Sequence, residues 1–228
     1  MTNDITAILV NYKTKALTEK ALATFRQFYP DIYLILVDNH SRDESTEYVK
    51  GFSGKDHYKV ILNASNIGHG PAMSGAISLV TTKYFLTLDS DIEVNKPFLA
   101  EMVKPLEAND ALYAVGWLRW VDRISGVPLV WHVTPPSDRS KFIPYIHPYC
   151  GLYRLSTYKT LPQFFDHGAP CLDNMRVANE QGIEVQDFPL GEYVKHWEAG
   201  TRRLFRGHWH PNDNERPDAW NPKQRFPI

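Results

Sequence analysis

Only two cysteines, Cys150 and Cys171, occur among the 228 residues of this chain. They allow one disulfide at most, which excludes a crosslinked secreted scaffold and makes a reducing compartment the simpler setting. An excess of one charge is also missing. Lys and Arg number 25, Asp and Glu 26, and the formal net charge is -1. The broad basic surface of a nucleic-acid binder is therefore not expected, and no nucleic-acid partner is predicted. No run approaches the roughly 20 apolar residues that span a bilayer. Met1-Thr2-Asn3-Asp4 leads into a short apolar run without a signal-peptide pattern. The expectation is a cytoplasmic protein, free or peripherally associated with the inner membrane surface. Repeats and low-complexity linkers are absent as well, and the sequence carries no signal for an oligomeric state. What remains is an ordinary globular composition, 43% hydrophobic and 22% charged, sufficient for a substantial core.

Hydrophobic patterning predicts strands over 5–10, 33–37, 59–62 and 84–88. Between them, Leu17, Ala21, Phe25 and Phe28 recur at helical spacing before Pro30. Ser41 with Glu44 has capping-box spacing, and Pro71 suits the first turn of a helix running to about residue 80. Strands alternating with helices imply an α/β domain with an open, mostly parallel twisted sheet and helices on both faces. The second half is less regular. A helix passes through Phe98, Met102 and Leu106, with Pro105 expected to kink or end it. A hairpin is expected from 113–121 and 127–133, turning at Ser125-Gly126, and a loop over the sheet edge from 134 to 148, with 134–149 covering a bound ligand. A helix over 173–182 and a strand over 183–188 follow. We divide the chain into a domain over 1–205, with a ligand-binding half at 1–125 and a second half at 126–205. A tail over 206–228 packs on the body.

In open sheets of this kind, ligands bind beyond the carboxyl ends of the strands. Polar residues fall there repeatedly: Asn11-Tyr12, Asp38-Asn39, the stretch from Asn63 to Asn66, and Asp89-Ser90-Asp91. The last of these carries the most chemistry. Two carboxylates one residue apart, where a hydrophobic strand leaves the core, repel each other unless a cation joins them. Hard oxygen ligands suit Mg²⁺ or Mn²⁺, which with open positions grip a substrate's phosphates. The alternative is that the aspartates open a solvated loop.

Four motifs in order carry a resemblance: Ile8-Leu9-Val10-Asn11-Tyr12, Val37-Asp38-Asn39-His40-Ser41-Arg42-Asp43, Asn63-Ala64-Ser65-Asn66-Ile67-Gly68, and Asp89-Ser90-Asp91. Together they resemble the family-2 glycosyltransferases of the GT-A fold, closely over the first 125 residues and more loosely over 150–205. The resemblance implies inverting transfer from a nucleotide-diphosphate sugar, UDP or dTDP favoured, to a hydroxyl of a glycan or lipid-linked saccharide. It implies that Val10, Asn11, Tyr12, Asn66, Gly68 and Ser90 line the nucleotide-sugar pocket, that Asp38 accepts a hydrogen bond from the base, and that Asp89 lies near the ribose. Asp91 becomes the ligand to Mn²⁺ or Mg²⁺. His196 completes the metal shell or touches the diphosphate, and Arg202 suits the diphosphate oxygens.

The chain departs from the family where the general base is sought. Where an E-D-x-D stretch is typical, this sequence reads Cys171-Leu172-Asp173-Asn174, so Asp173 is the candidate base and Asp166 and Glu192 its substitutes. A helix cap is the alternative for Asp173. Trp117, Trp120, Trp131, Tyr145 and Tyr149 offer apolar faces for acceptor sugars, or are core. Two rival functions remain. A sugar nucleotidyltransferase would carry a Gly-rich phosphate loop after the first strand, where this chain has Asn11-Tyr12-Lys13-Thr14. A non-catalytic nucleotide-sugar binder would lack a working base.

Overall fold

The computed structural model describes residues 2–124, 136, 140–165 and 169–197. Its first half follows the alternating pattern. Strand β1 (Ile5–Asn11), helix α1 (Lys15–Phe28), β2 (Tyr33–Asp38), α2 (Glu44–Lys50), β3 (Tyr58–Leu62), α3 (His69–Ile77) and β4 (Tyr84–Asp89) succeed one another. A short β5 (Ile92–Val94) and α4 (Leu99–Ala108) lead to β6 (Leu112–Asp122) and β7 (Phe142–Arg154). The single turn α5 (Leu155–Tyr158), α6 (Leu172–Glu180), β8 (Glu184–Asp187) and β9 (Val194–His196) complete the described chain.

Seven strands form one sheet in the order β3-β2-β1-β4-β7-β6-β8, and β5 pairs with β9 in a second. Within the large sheet, β7 alone runs against its neighbours. The architecture is thus α/β with a mostly parallel central sheet, as the patterning implies. Strand alternation divides the core. Ile5, Ala7, Leu9, Leu34, Leu36, Leu86 and Leu88 pack with α1 and α4 on one face. Ile8, Val10, Ile35, Val37 and Phe85 pack with α3 and α6 on the other. Both faces are buried, which is why these strands read as continuous apolar runs rather than alternating ones.

Several local expectations are corrected. The N-cap of α2 is Asp43, whose carboxylate accepts from Ser45 N at 2.9 Å; Ser41 faces inward instead. Pro105 lies inside α4 without ending it. Helix α3 stops at Ile77, short of residue 80. β6 pairs with β7, whereas the second strand of the expected hairpin lies outside the described residues. The expected loop over 134–148 is strand from Phe142 onward, so 142–149 is central sheet and not a cover. Its proline and aromatic content suggested a loop, yet burial between β4 and β6 decides the conformation. The tail over 206–228 lies outside the described residues.

One irregularity shapes the site. Gly116 pairs with Gly151 and Leu118 with Ile146, so two steps along β6 are matched by five along β7. The extra residues, around His147 to Cys150, bulge from the ladder. Close strand approach here needs glycine, since a Cβ on Gly116 would meet Ile146 Cγ2 at 2.7 Å.

Candidate active site

Val10 pairs with Asp89 on one side of β1, and Asn11 pairs with Asp38 on the other. The carboxyl ends of β2, β1 and β4 therefore lie level, and the aspartates of the outer two strands sit two strand spacings apart, about 10 Å. This is the edge on which the polar strand endings were expected to converge.

At the β4 end, Asp91 is buried and Asp89 keeps a side-chain exposure of 19%. The small sheet brings a third group. Ile92 pairs with His196, and Trp197 N donates to Asp91 O at 2.9 Å. His196 Nε2 consequently lies 3.4 Å from Asp91 Oδ1. One ligand atom from each of Asp89, Asp91 and His196 can be chosen so that all lie within 4.8 Å of one another. Two hard carboxylate oxygens and an imidazole nitrogen fit Mn²⁺ or Mg²⁺. Beyond β9, the Trp197 ring is flanked by Lys20 Nζ at 4.7 Å and Lys195 Nζ at 3.6 Å, and Lys20 pairs with Glu93 at 2.9 Å. These contacts tie β9 to α1 and β5.

Two further histidines approach the same place. His69, the first residue of α3, has Nε2 3.6 Å from Asp89 Oδ1. His147, on the β7 bulge, has its ring 6.0 Å from that of His196, and Tyr149 stacks on His196 at 4.6 Å and 10°. Trp117 on β6 closes the wall, 5.8 Å from His147 and 5.5 Å from Tyr149, with Arg119 over its ring at 4.4 Å. Desolvation and the neighbouring Asp91 push the Asp89 carboxyl up to about 7, against the pull of His196. Desolvation pushes His69 down to about 4 and His147 to about 3; His196, Arg119 and His69 add to the second effect. Both imidazoles are neutral at pH 7.

At the β2 end, Asp38 is 2% exposed. Its carboxylate accepts from Asn11 Nδ2 at 2.8 Å, Ser41 N at 3.1 Å, Thr46 Oγ1 at 3.0 Å and the Ser41 hydroxyl. These bonds hold a turn in which His40 and Arg42 have φ of 67° and 55°. A cavity of about 310 Å³ opens there, lined among others by Asp38, His40, Arg42, Thr46, Leu62 and Asn63. Asn63 Nδ2, in its lining, donates to Asn39 Oδ1 at 2.9 Å. Asn39 Nδ2 donates to Asn66 Oδ1 at 2.8 Å, and Gly68 N donates to the same oxygen at 3.0 Å. Gly68 caps α3 with φ 88° and ψ 163°, a conformation open to glycine.

The structure thus gathers Asp89, Ser90, Asp91 and His196 at one point, and Asp38, Asn66 and Gly68 on the same edge. Tyr12 is half-buried just past β1, with Lys13 Nζ 5.2 Å from its ring. Asn11 is fully buried. Asp173 lies in the first turn of α6, where Cys171 is the N-cap; its side chain is 51% exposed and 3.7 Å from Arg176. Cys171, two residues earlier, is buried, and burial pushes its thiol up. Glu192 sits exposed on a short turn before β9. Tyr145 and Tyr149 are buried, Trp117 and Trp120 half-buried. Arg202, Asp166 and Trp131 lie outside the described residues. Sequence reading missed His69 and His147. A histidine directly after Gly68 at a helix start was the available signal for the first; the second was hidden in a segment read as loop.

Comparisons with known proteins agree with this fold. Residues 6–161 match the family described as Glycosyl transferase family 2. Over 118 residues the chain is 29% identical to the glycosyltransferase GlyG of Streptococcus pneumoniae, covering 51% of this chain and 39% of that protein. Over 113 residues it is 27% identical to GlyA of the same species, covering 49% of this chain and 16% of that protein. The chain therefore spans well under half the length of these relatives. The mannosyltransferase PcManGT of Pyrobaculum calidifontis, solved with GDP-Man and Mn²⁺, superposes with a TM-score of 0.61 at 18% identity, over 82% of this chain and 55% of that one. S. aureus TarS superposes with a TM-score of 0.59 at 15% identity, over 86% and 61%. The fold is GT-A, and the chain belongs to glycosyl transferase family 2.

Proposed function

We propose that this chain is a metal-dependent inverting glycosyltransferase acting on a nucleotide-diphosphate sugar and a hydroxyl acceptor. The observation that carries this reading is the Asp89, Asp91 and His196 cluster, about two strand spacings from the cavity at the end of β2. That span suits a nucleoside diphosphate, with its base in the cavity and its phosphates at the cluster. A bound Mn²⁺ or Mg²⁺ supplies the positive charge that offsets the departing diphosphate.

The chain's own residues do the rest. Asp91 and His196 hold the ion, and Asp89 stands beside them near the ribose. Asp38 has no acceptor direction left for a base, because four donors of its own chain use its carboxylate. The base-recognition role expected of it passes to the turn it organises, where His40 and Asn63 line the cavity. Val10 and Tyr12 support the nucleoside from β1, while Asn66 and Gly68 set the start of α3. Arg202 is assigned to the diphosphate. Asp173 takes the acceptor hydroxyl's proton as that oxygen bonds to the anomeric carbon. The bond from that carbon to the diphosphate oxygen breaks on the opposite face.

Residues 1–125 form the donor half and 126–205 the acceptor half; Trp117, near the end of the donor half, offers a face for a sugar ring of the acceptor. The acceptor is a glycan or lipid-linked saccharide. Among the described residues no helix is long and apolar enough to cross a membrane, which is compatible with action in the cytoplasm or at the inner membrane surface. One structural relative was solved with GDP-Man and another with UDP-GlcNAc, so the donor test covers both bases. A thermal-shift panel of UDP-, dTDP- and GDP-sugars, each with and without Mn²⁺, is the experiment. One donor should raise the melting temperature in a metal-dependent way. No metal-dependent shift with any of them contradicts the reading.

A further inference from the structure

Thr14 occupies the N-cap of α1, where a threonine ordinarily accepts from the helix's own amides, yet it makes no such bond. Its hydroxyl is engaged elsewhere. Thr14 Oγ1 lies 2.9 Å from Asn11 Oδ1 and 3.1 Å from Ser90 Oγ, the middle residue of the aspartate turn. Thr14 Oγ1 is the donor to both acceptors and shares its single proton between them. Thr18 Oγ1 also donates to Asn11 Oδ1, at 2.8 Å. On its other side, Asn11 Nδ2 donates to Asp38 Oδ1 at 2.8 Å and to Ser41 Oγ at 3.0 Å.

A continuous chain of hydrogen bonds therefore runs from the β2 turn through Asn11 and Thr14 to Ser90. Every member is buried: Asn11 and Thr18 are 0% exposed, Thr14 1%, Asp38 2%, Ser41 0% and Ser90 8%. Asn11 uses both lone-pair directions of its carbonyl and both amide protons within this chain, so it has nothing left with which to touch a ligand. Buried polar networks that are fully satisfied rigidify what they join. Here they join the two ends of the ligand edge across β1.

We propose that Asn11 and Thr14 are positioning residues that fix Ser90, and so hold Asp89 and Asp91 in the geometry that takes the divalent cation. This rests on the metal reading given above. Outer partners that orient metal ligands typically change metal affinity about 10- to 100-fold when removed, and a link acting through one intervening serine belongs at the lower end.

The test is titration of the full chain with Mn²⁺ alone, following free Mn²⁺ by electron paramagnetic resonance, with melting temperatures measured in parallel. Thr14→Val removes the bond to Ser90 while keeping the side-chain shape, and should weaken Mn²⁺ binding roughly 10-fold. Thr14→Ser keeps the hydroxyl and should restore it. Thr18→Val loses two bonds of the same network, to Asn11 Oδ1 at 2.8 Å and to Thr14 Oγ1 at 3.3 Å, but none to the aspartate turn; it should lower the melting temperature while holding Mn²⁺ affinity within about twofold. If Thr14→Val does not fold, Ser90→Ala cuts the same bond from its other end and should weaken binding equally. Parental affinity in the folded Thr14→Val or Ser90→Ala variant overturns the proposal, as does equal loss in Thr14→Val and Thr18→Val. No Mn²⁺ uptake by the parent brings down the metal reading, and this inference with it.

Discussion

His196 Nε2 lies 3.4 Å from Asp91 Oδ1 because β9 pairs with β5 and sets Ile92 opposite His196. A cation between these groups would be gripped by two segments far apart in sequence. His196→Ala should therefore weaken Mn²⁺ binding by more than the roughly 10-fold loss typical of an outer partner, and lower turnover by at least as much. Calorimetric titration with Mn²⁺ and measurement of nucleoside diphosphate release check this.

Asp89 gives a pH dependence of definite sign. Its folded value of about 7 exceeds its ordinary value of 3.8, so between these the native state binds more protons than the unfolded one. In the metal-free protein, this carboxyl's contribution to stability falls as pH rises from about 4 to about 7, and levels off above. His69 and His147, held down at about 4 and 3, act in the opposite sense below pH 6.5. Comparing the parent with Asp89→Asn isolates the aspartate. The variant should gain stability relative to the parent as pH rises through this window, measured by urea unfolding in chelator. Cation binding needs the carboxylate ionised, so parental Mn²⁺ affinity should rise with pH up to about 7.

Asp173→Asn should lower kcat by about 10²–10⁴-fold, the usual contribution of a general base. Donor KM should change less than threefold, because the proton moves only in the transition state. The exposed position of Asp173 in the first turn of α6 predicts an undiminished melting temperature. Steady-state kinetics at saturating acceptor make the distinction.

Gly68→Ala should destabilise the fold by on the order of 1–3 kcal/mol, since φ 88° with ψ 163° is a region that side chains with a Cβ scarcely enter. It should also raise donor KM, because this residue sets the start of α3 and hence His69. Chemical denaturation and kinetics report the two effects separately.

Much of this edge could be read from residues alone. The apolar runs ending at Asn11, Asp38 and Asp89 are buried on both faces, so their sequence signal is strong, and their polar ends mark the ligand edge. His196 was reachable only through the family resemblance, since nothing local says that β9 will pair with β5. β7 was misread because its prolines and aromatics look like loop chemistry, whereas pairing with β4 and β6 makes the segment central sheet. Ser41 had the spacing of a cap, but Asp38 offered it a buried carboxylate and Asp43 took the helix end. For β9 and β7 a contact distant in sequence decided the outcome; for Ser41 a buried carboxylate three residues away outweighed the cap.

The central claim is that Asp91 anchors a divalent cation that binds the donor's diphosphate. The most direct measurement compares Mn²⁺-dependent donor binding and transfer in the parent and in Asp91→Ala. The account predicts a well-folded variant with a metal-free melting temperature at or above the parent's, because a like charge beside Asp89 is gone, and with turnover reduced at least 100-fold. A variant that binds Mn²⁺ and transfers sugar at the parental rate contradicts it.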